Sequence, residues 1–192
     1  MADACDRRPT APISPALDGH HQEADWEHAG CVLSGSVRGC DTAHPCTRLL
    51  YGSDHESFYL RFEFREGVQP SRDLPGEIHL LWFYPGVTMY NSPAPLASLP
   101  STAPLNYLFH YHLGLPLGTL ECWFEEAGER YTWQRRDCSA RIVLRDCLEI
   151  AVPWASLSLP AHYPLRLVAV LAEAGCFQDY LPQGRLLSLQ AL

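Results

Sequence analysis

Sixteen prolines and 13 glycines are spread along 192 residues, and the apolar runs between them are short. Proline removes a backbone donor and glycine opens turn conformations, so this punctuation favours strands and turns over long helices. The runs themselves alternate. Ser57–Phe64 places Phe58, Leu60, Phe62 and Phe64 on one side and Tyr59, Arg61 and Glu63 on the other, the signature of a half-buried antiparallel strand. Glu77–Tyr84 is apolar on both sides and belongs at the centre of a sheet. Leu105–Leu113, Thr119–Phe124, Arg130–Arg136, Ala140–Leu144, Cys147–Val152, Pro164–Ala172 and Arg185–Gln190 follow at short spacing. The predicted fold is all-β: an antiparallel, jelly-roll-like β-sandwich of about ten short strands. Helix is confined to Ala24–His28 and the turn after Pro153. Residues 1–15, with Pro9, Pro12 and Pro15, read as a flexible tail or linker remnant, and 16–192 as a single domain. Pro85–Pro104 holds five prolines and reads as a long loop.

Charge narrows the function classes. The net charge is −8, which disfavours a phosphate-backbone binder and hence nucleic acid. All 14 basic residues are arginine, and without lysine there is neither Schiff-base chemistry nor a lysine-dependent phosphate loop. No apolar run of about 18 residues is available for a membrane helix. Eight cysteines stand at 5, 31, 40, 46, 122, 138, 147 and 176 without a CxxC pair. Cys40 and Cys46 are spaced to flank a loop. With no apolar signal segment at the start, the expectation is a reducing, cytoplasmic setting with free thiols.

Three constellations bear on chemistry. Glu121, Glu125, Glu126 and Glu129 cluster, but Glu121 and Glu125 on one strand stand ~13 Å apart, too far for a paired acid and base. His110 and His112 share a strand face as two metal ligands do, and a third ligand such as His79 or an acid has no spacing to nominate it. No GxSxG, GxGxxG or Walker loop is present. The aromatic content points elsewhere. Trp123 falls on the polar side of its predicted strand beside Glu121 and Glu125, where an indole is costly unless something stacks on it. A sugar ring fits, its C–H face on the indole and its hydroxyls on the carboxylate. Tyr131 and Trp133 follow on the next strand, and Trp82 sits among Ile78 and Leu80. Trp123, Glu121, Trp133, Tyr131 and Trp82 are the candidate carbohydrate-binding residues; Trp26 and Trp154 read as packing residues.

These segments also carry a resemblance. The turn Leu17-Asp18-Gly19 followed by Asp25-Trp26, the strand pair LLYGSDHESFYLRF at 49–62 and the late IAVPWASL at 150–157 resemble the superfamily of family 9 carbohydrate-binding modules and DOMON-like domains. HLLWFYPG at 79–86, PLNYLFHYHL at 104–113 and WFEEAGERYTW at 123–133 are similar to the C-terminal accessory domain of glycoside hydrolase family 57 proteins, over residues 12–190. That resemblance implies a non-catalytic accessory domain that binds α-glucan or a related carbohydrate beside a family 57 catalytic unit. No segment matches that family's catalytic barrel, so no catalytic residue is carried over. The superfamily admits calcium, with no ligands assigned here. Alternatives are a structural domain packed on the catalytic unit and a His-based metal-dependent enzyme.

Overall fold

The computed structural model describes residues 7–22, 24–33, 46–68, 76–99, 105–158 and 163–190. Its strands, among the described residues, are β1 (Gly30–Leu33), β2 (Cys46–Ser53), β3 (Ser57–Phe64), β4 (Glu77–Phe83), β5 (Tyr111–Pro116), β6 (Trp123–Ala127), β7 (Trp133–Arg136), β8 (Arg141–Leu144), β9 (Cys147–Pro153), β10 (Leu165–Glu173), β11 (Cys176–Leu181) and β12 (Leu187–Leu189). Helical structure is limited to 3-10 turns at Ala24–Trp26, Glu129–Tyr131 and Trp154–Ser156. All strand ladders are antiparallel. The chain is all-β with two antiparallel sheets, the β-sandwich class that the alternation predicts. Three predicted strands begin later than expected, at Tyr111, Trp123 and Trp133. Left-handed backbone at Leu120 (φ 58°), Arg130 (φ 55°) and Tyr131 (φ 61°) interrupts the extended conformation ahead of β6 and β7.

The predicted single domain divides into two compact units. The first comprises Met1–Leu74, Ser139–His162 and Gln190–Leu192, with sheet order β1-β2-β3-β9-β8. All eight residues of β3 are buried, including the side predicted to be wet. The reason is the N-terminal segment. Ile13 and Trp26 join Cys31, Leu50, Tyr59 and Ala151 in one apolar cluster. Arg61 is matched rather than hydrated: it donates to the Gln22 carbonyl at 2.9 Å, meets Glu63 at 2.8 Å and lies 5.8 Å from the Trp26 ring centre. Residues 7–15 are therefore not a free tail. Arg7 bridges Cys31, Thr10 N–H donates to the His28 carbonyl, and Ile13 N–H donates to Ser53. Prolines permit this, because a lone extended segment at a sheet edge needs only part of its donors. The Leu17-Asp18-Gly19 turn is held by buried Glu149, whose Oε2 accepts N–H groups from Asp18 (2.9 Å) and Gly19 (2.8 Å). Trp154 is buried against Phe58 and donates to the Asp54 carbonyl at 2.9 Å, the packing role the sequence assigns it.

The second unit comprises Pro75–Cys138 and Tyr163–Leu189, with sheet order β11-β10-β4-β5-β6-β7 and β12 beside β10. β4 lies between β10 and β5, as its two-sided apolarity predicts. One side of this sheet carries an aromatic stack: Trp82 on Tyr111 and on Phe124, each at 5.8 Å, and Tyr111 on Phe124 at 5.6 Å. On the other side the proline-rich loop folds down. Ala94, Leu105 and Phe109 pack with Leu81, Val168 and Val170, and Leu96, Leu99 and Trp133 border them. Residues 100–104 of the predicted loop, and Cys5 and Cys40, lie outside the described residues.

Candidate functional site

The loop covers only part of that side of the sheet. Beyond it the strands present polar and aromatic side chains together, because alternate residues share a face. β4 supplies Glu77 and His79, β5 supplies His112 and Gly114, β6 supplies Trp123 and Glu125, and β7 supplies Trp133 and Arg135. Gly114 stands opposite Trp123, and Glu125 opposite both His112 and Arg135.

These residues form a continuous chain of contacts. Glu77 Oε2 is 3.0 Å from His79 Nε2, His79 Nδ1 is 2.8 Å from His112 Nε2, and His112 Nδ1 is 2.8 Å from Glu125 Oε2. The second Glu125 oxygen is 3.5 Å from Arg135 Nε. The two imidazoles are buried and nearly coplanar, edge to edge, 5.1 Å between centres and 9° between planes. Both tryptophans rest on them. Trp123 meets His79 at 5.9 Å and His112 at 6.1 Å edge-on, and Trp133 meets His112 at 5.6 Å. The Arg135 guanidinium lies 5.3 Å above the Trp123 ring. Both indoles are half-buried.

Electrostatics follow from these contacts. The His112 hydrogen bond holds the Glu125 carboxyl below its ordinary range, with Arg135 acting the same way. Burial, then the neighbouring His112, push the His79 imidazole down, against the pull of Glu77 and Glu125. Burial also pushes His110 down, and its Nδ1 accepts the Tyr84 backbone N–H at 3.2 Å. At one end of the site an open depression of ≈ 510 Å³ is lined by Trp123, Phe124, Arg135, Arg136, Asp137 and the thiols Cys122 and Cys138.

The structure brings Trp123 and Trp133 to one face, bridged by His112. It separates the other predicted residues from them. Glu121 precedes β6 and is exposed, and Glu125 takes the place beside Trp123. Tyr131 sits in the left-handed turn, exposed, so it does not continue the Trp133 face. Trp82 is fully buried in the aromatic stack on the opposite side, where no ligand reaches it. His110 and His112 do not act as a pair; His79 is the partner of His112. Alternation sets Glu125 beside Trp123, but composition and spacing had no means of singling out Glu77 or of joining Arg135 to Glu125. The signal for them is the strand register, which a single sequence does not carry.

Among the described residues no group of three or more His, Cys, Asp or Glu side chains is arranged to hold a metal ion. Asp18 and Asp54, acids beside turns, are engaged within those turns. Asp18 accepts from His20 N–H and Gln22, and Asp54 accepts from Glu56 N–H, Ser57 N–H and the Tyr59 hydroxyl. Their oxygens already have donors. The described cysteines, Cys31, Cys46, Cys122, Cys138, Cys147 and Cys176, are thiols, and none of the described helical turns is long enough to cross a membrane.

No protein-family model matches the chain, and no curated protein matches it. Among the solved structures similar to it are two carbohydrate-binding modules. One is a family 9 carbohydrate-binding module from Caldicellulosiruptor kristjanssonii in complex with glucose, at 8% identity and TM-score 0.43, covering 95% of this chain and 93% of that one. The other is a family 9 module from the same organism in complex with cellotriose, at 11% identity and TM-score 0.41, covering 92% and 78%.

Proposed function

We propose that this chain is a non-catalytic carbohydrate-binding domain that takes an oligosaccharide, of the α-glucan class, across the face of β6 and β7. The observation that carries it is the placement of half-buried Trp123 and Trp133 on one sheet face with the Glu125–Arg135 pair between them. Trp133 is opposite Ala127, four residues along β6 from Trp123, and both indoles reach the His112 ring, at 5.6 and 6.1 Å, so their centres stand at most about 12 Å apart. Such a span suits a chain of sugar rings. Apolar C–H faces lose contact with water on the indoles while charged groups between them take hydroxyls. Arg135, 68% exposed in its side chain, is able to swing from the Trp123 ring.

A binding role rather than a hydrolytic one is supported by the acids themselves. Glu125 is engaged by His112 and Arg135, Glu126 by Arg136, and Glu129 by Tyr90. Action beside a family 57 catalytic unit, in the cytoplasm, belongs to the same proposal and rests on the sequence resemblance. A second reading, a domain that packs on such a unit, is favoured by exposed Tyr90, Tyr107, Leu108 and Tyr131. Titration with maltoheptaose, with cellotriose as a β-linked comparator, followed by tryptophan emission and calorimetry, separates them. Saturable maltoheptaose binding that Trp123→Ala weakens supports the carbohydrate role. Absence of binding to either sugar overturns it.

A further inference from the structure

The contacts at 3.0, 2.8 and 2.8 Å that run Glu77–His79–His112–Glu125 are all of hydrogen-bond length, and each needs one proton between its two atoms. Ionised carboxylates supply none. The three protons must therefore sit on the four imidazole nitrogens. Two neutral imidazoles carry only two. The arrangement is complete only when the pair carries one extra proton, with N–H pointing outward to each glutamate and a single N–H in the central gap.

We infer that His79 and His112 share one proton, and that this proton-bridged pair is a positioning element for Trp123 and Trp133 on the sheet face. Both indoles meet the imidazoles, and Trp133 is held besides by its Nε1–H, which donates to the Pro93 carbonyl at 3.1 Å. The charge around the pair matches one added proton. From β4 it faces Glu77, from β6 Glu125, from β7 Arg135, and from β10 the uncharged Val170, which is opposite His79. His110 lies before His112 with its Nδ1 occupied by the Tyr84 N–H. Two glutamates against one arginine and one shared proton sum to zero. A second proton places two cations within 2.8 Å, and burial with the His112 charge opposes it at His79. Loss of the shared proton leaves two lone pairs facing each other across the same gap. The pair then separates, and the indoles lose their support.

For ligand binding the consequence rests on the carbohydrate proposal: affinity falls on the alkaline side when the pair gives up its proton. The positioning itself does not depend on that proposal, and the experiment keeps the two apart. Imidazole ¹⁵N shifts and tryptophan emission of the full chain without sugar are followed from about pH 5 to about pH 9. The expected result is one imidazolium per pair at the lower end of the neutral range, and an emission change of Trp123 and Trp133, identified with Trp→Phe variants, in the same transition that discharges it. His79→Asn places an amide N–H at the Nδ1 position, where it donates to His112 in its neutral form, so emission becomes flat across that range with the fold kept. With maltoheptaose as the probe, wild-type affinity drops by about tenfold across the transition and that of His79→Asn does not. Two neutral imidazoles with the indoles in place, emission unmoved as the pair titrates, or an unchanged pH profile in His79→Asn overturns the inference. Failure of maltoheptaose to bind at any pH overturns the carbohydrate proposal alone.

Discussion

The indole of Trp123 lies over Gly114, its cross-strand neighbour, so closely that a Cβ on Gly114 overlaps the ring at Cε2 and Cζ2. This glycine is required by the close approach. It leaves room for the Trp123 ring, which makes edge contacts with the His79 and His112 rings.

Gly114→Ala therefore lifts Trp123 from its seat. A methyl group forced into a packed contact costs about 1–3 kcal/mol. The variant melts several degrees lower than wild type and shifts tryptophan emission to the red as Trp123 gains water. Gly118→Ala, at a position where a Cβ meets nothing within 4 Å, leaves both unchanged and serves as the control. An unshifted emission in Gly114→Ala would show that the ring does not rest there.

Acid weakens the second unit through a buried imidazole, that of His110. Burial lowers His110 from the ordinary 6.5. A lowered folded value means that the unfolded chain takes the proton first. The His110 contribution is then complete above about pH 6.5 and is lost as pH falls below it toward the folded value. Each such proton contributes a slope of up to about 1.4 kcal/mol per pH unit. At His110 the geometry gives the reason, since a proton on Nδ1 removes the acceptor of the Tyr84 N–H. Urea midpoints at pH 7.5 and 5.5 measure the loss. His110→Asn, which keeps a neutral acceptor at the Nδ1 position, reduces the difference; an equal or larger difference would count against this assignment.

Period-two alternation made much of the fold legible. β3, β4 and β9 stand within a residue of their predicted bounds because their apolar runs are uninterrupted. Strand starts at β6 and β7 were not legible, since Leu120, Arg130 and Tyr131 adopt left-handed backbone without being glycine or asparagine. The side of β3 bearing Tyr59, Arg61 and Glu63 was predicted to face water, whereas a segment 40 residues upstream covers it and matches its charges. Trp123 and Trp133 were legible as residues of successive strands, and the register of β6 against β7 puts them on one face. The His79–His112 contact was not, because it is a diagonal pair: His79 stands opposite Gly114, and His112 opposite Leu81. Only the register of β4 against β5 places the two rings together.

Glu149 ties the Asp18–Gly19 turn to β9 from a buried position, so removing its acceptor is expected to release that turn. Glu149→Leu leaves two amide N–H groups without their partner, at about 1–3 kcal/mol each where water cannot replace it. Glu149→Gln keeps an acceptor and costs less. Amide hydrogen exchange at Asp18 and Gly19 reads the effect directly: both amides are protected in wild type and in Glu149→Gln, and both lose protection in Glu149→Leu. Equal protection in all three chains would assign the turn's stability to other contacts.

Trp123 and Trp154 differ in what holds them, and the difference predicts opposite phenotypes. Trp154 is 4% exposed, tilted against Phe58 and hydrogen-bonded to the Asp54 carbonyl. Trp154→Ala empties a core site and lowers stability by about 3–5 kcal/mol. Trp123 is half-buried, with Arg135 on one side and Gly114 on the other. Trp123→Ala takes away less buried area and leaves no enclosed cavity, so its melting point falls by less than half as much. Its effect is on the ligand: loss of a stacking anchor costs on the order of 2 kcal/mol, roughly a 30-fold rise in the maltoheptaose Kd. Arg135→Ala distinguishes the two parts of the platform. It uncovers the Trp123 ring while removing a hydroxyl partner and the second contact of Glu125, so affinity falls by less than in Trp123→Ala and the fold is unchanged. Paired melting curves and sugar titrations on the three variants check the order. A stability loss in Trp123→Ala as large as that in Trp154→Ala, with sugar affinity unaltered, would make Trp123 a packing residue.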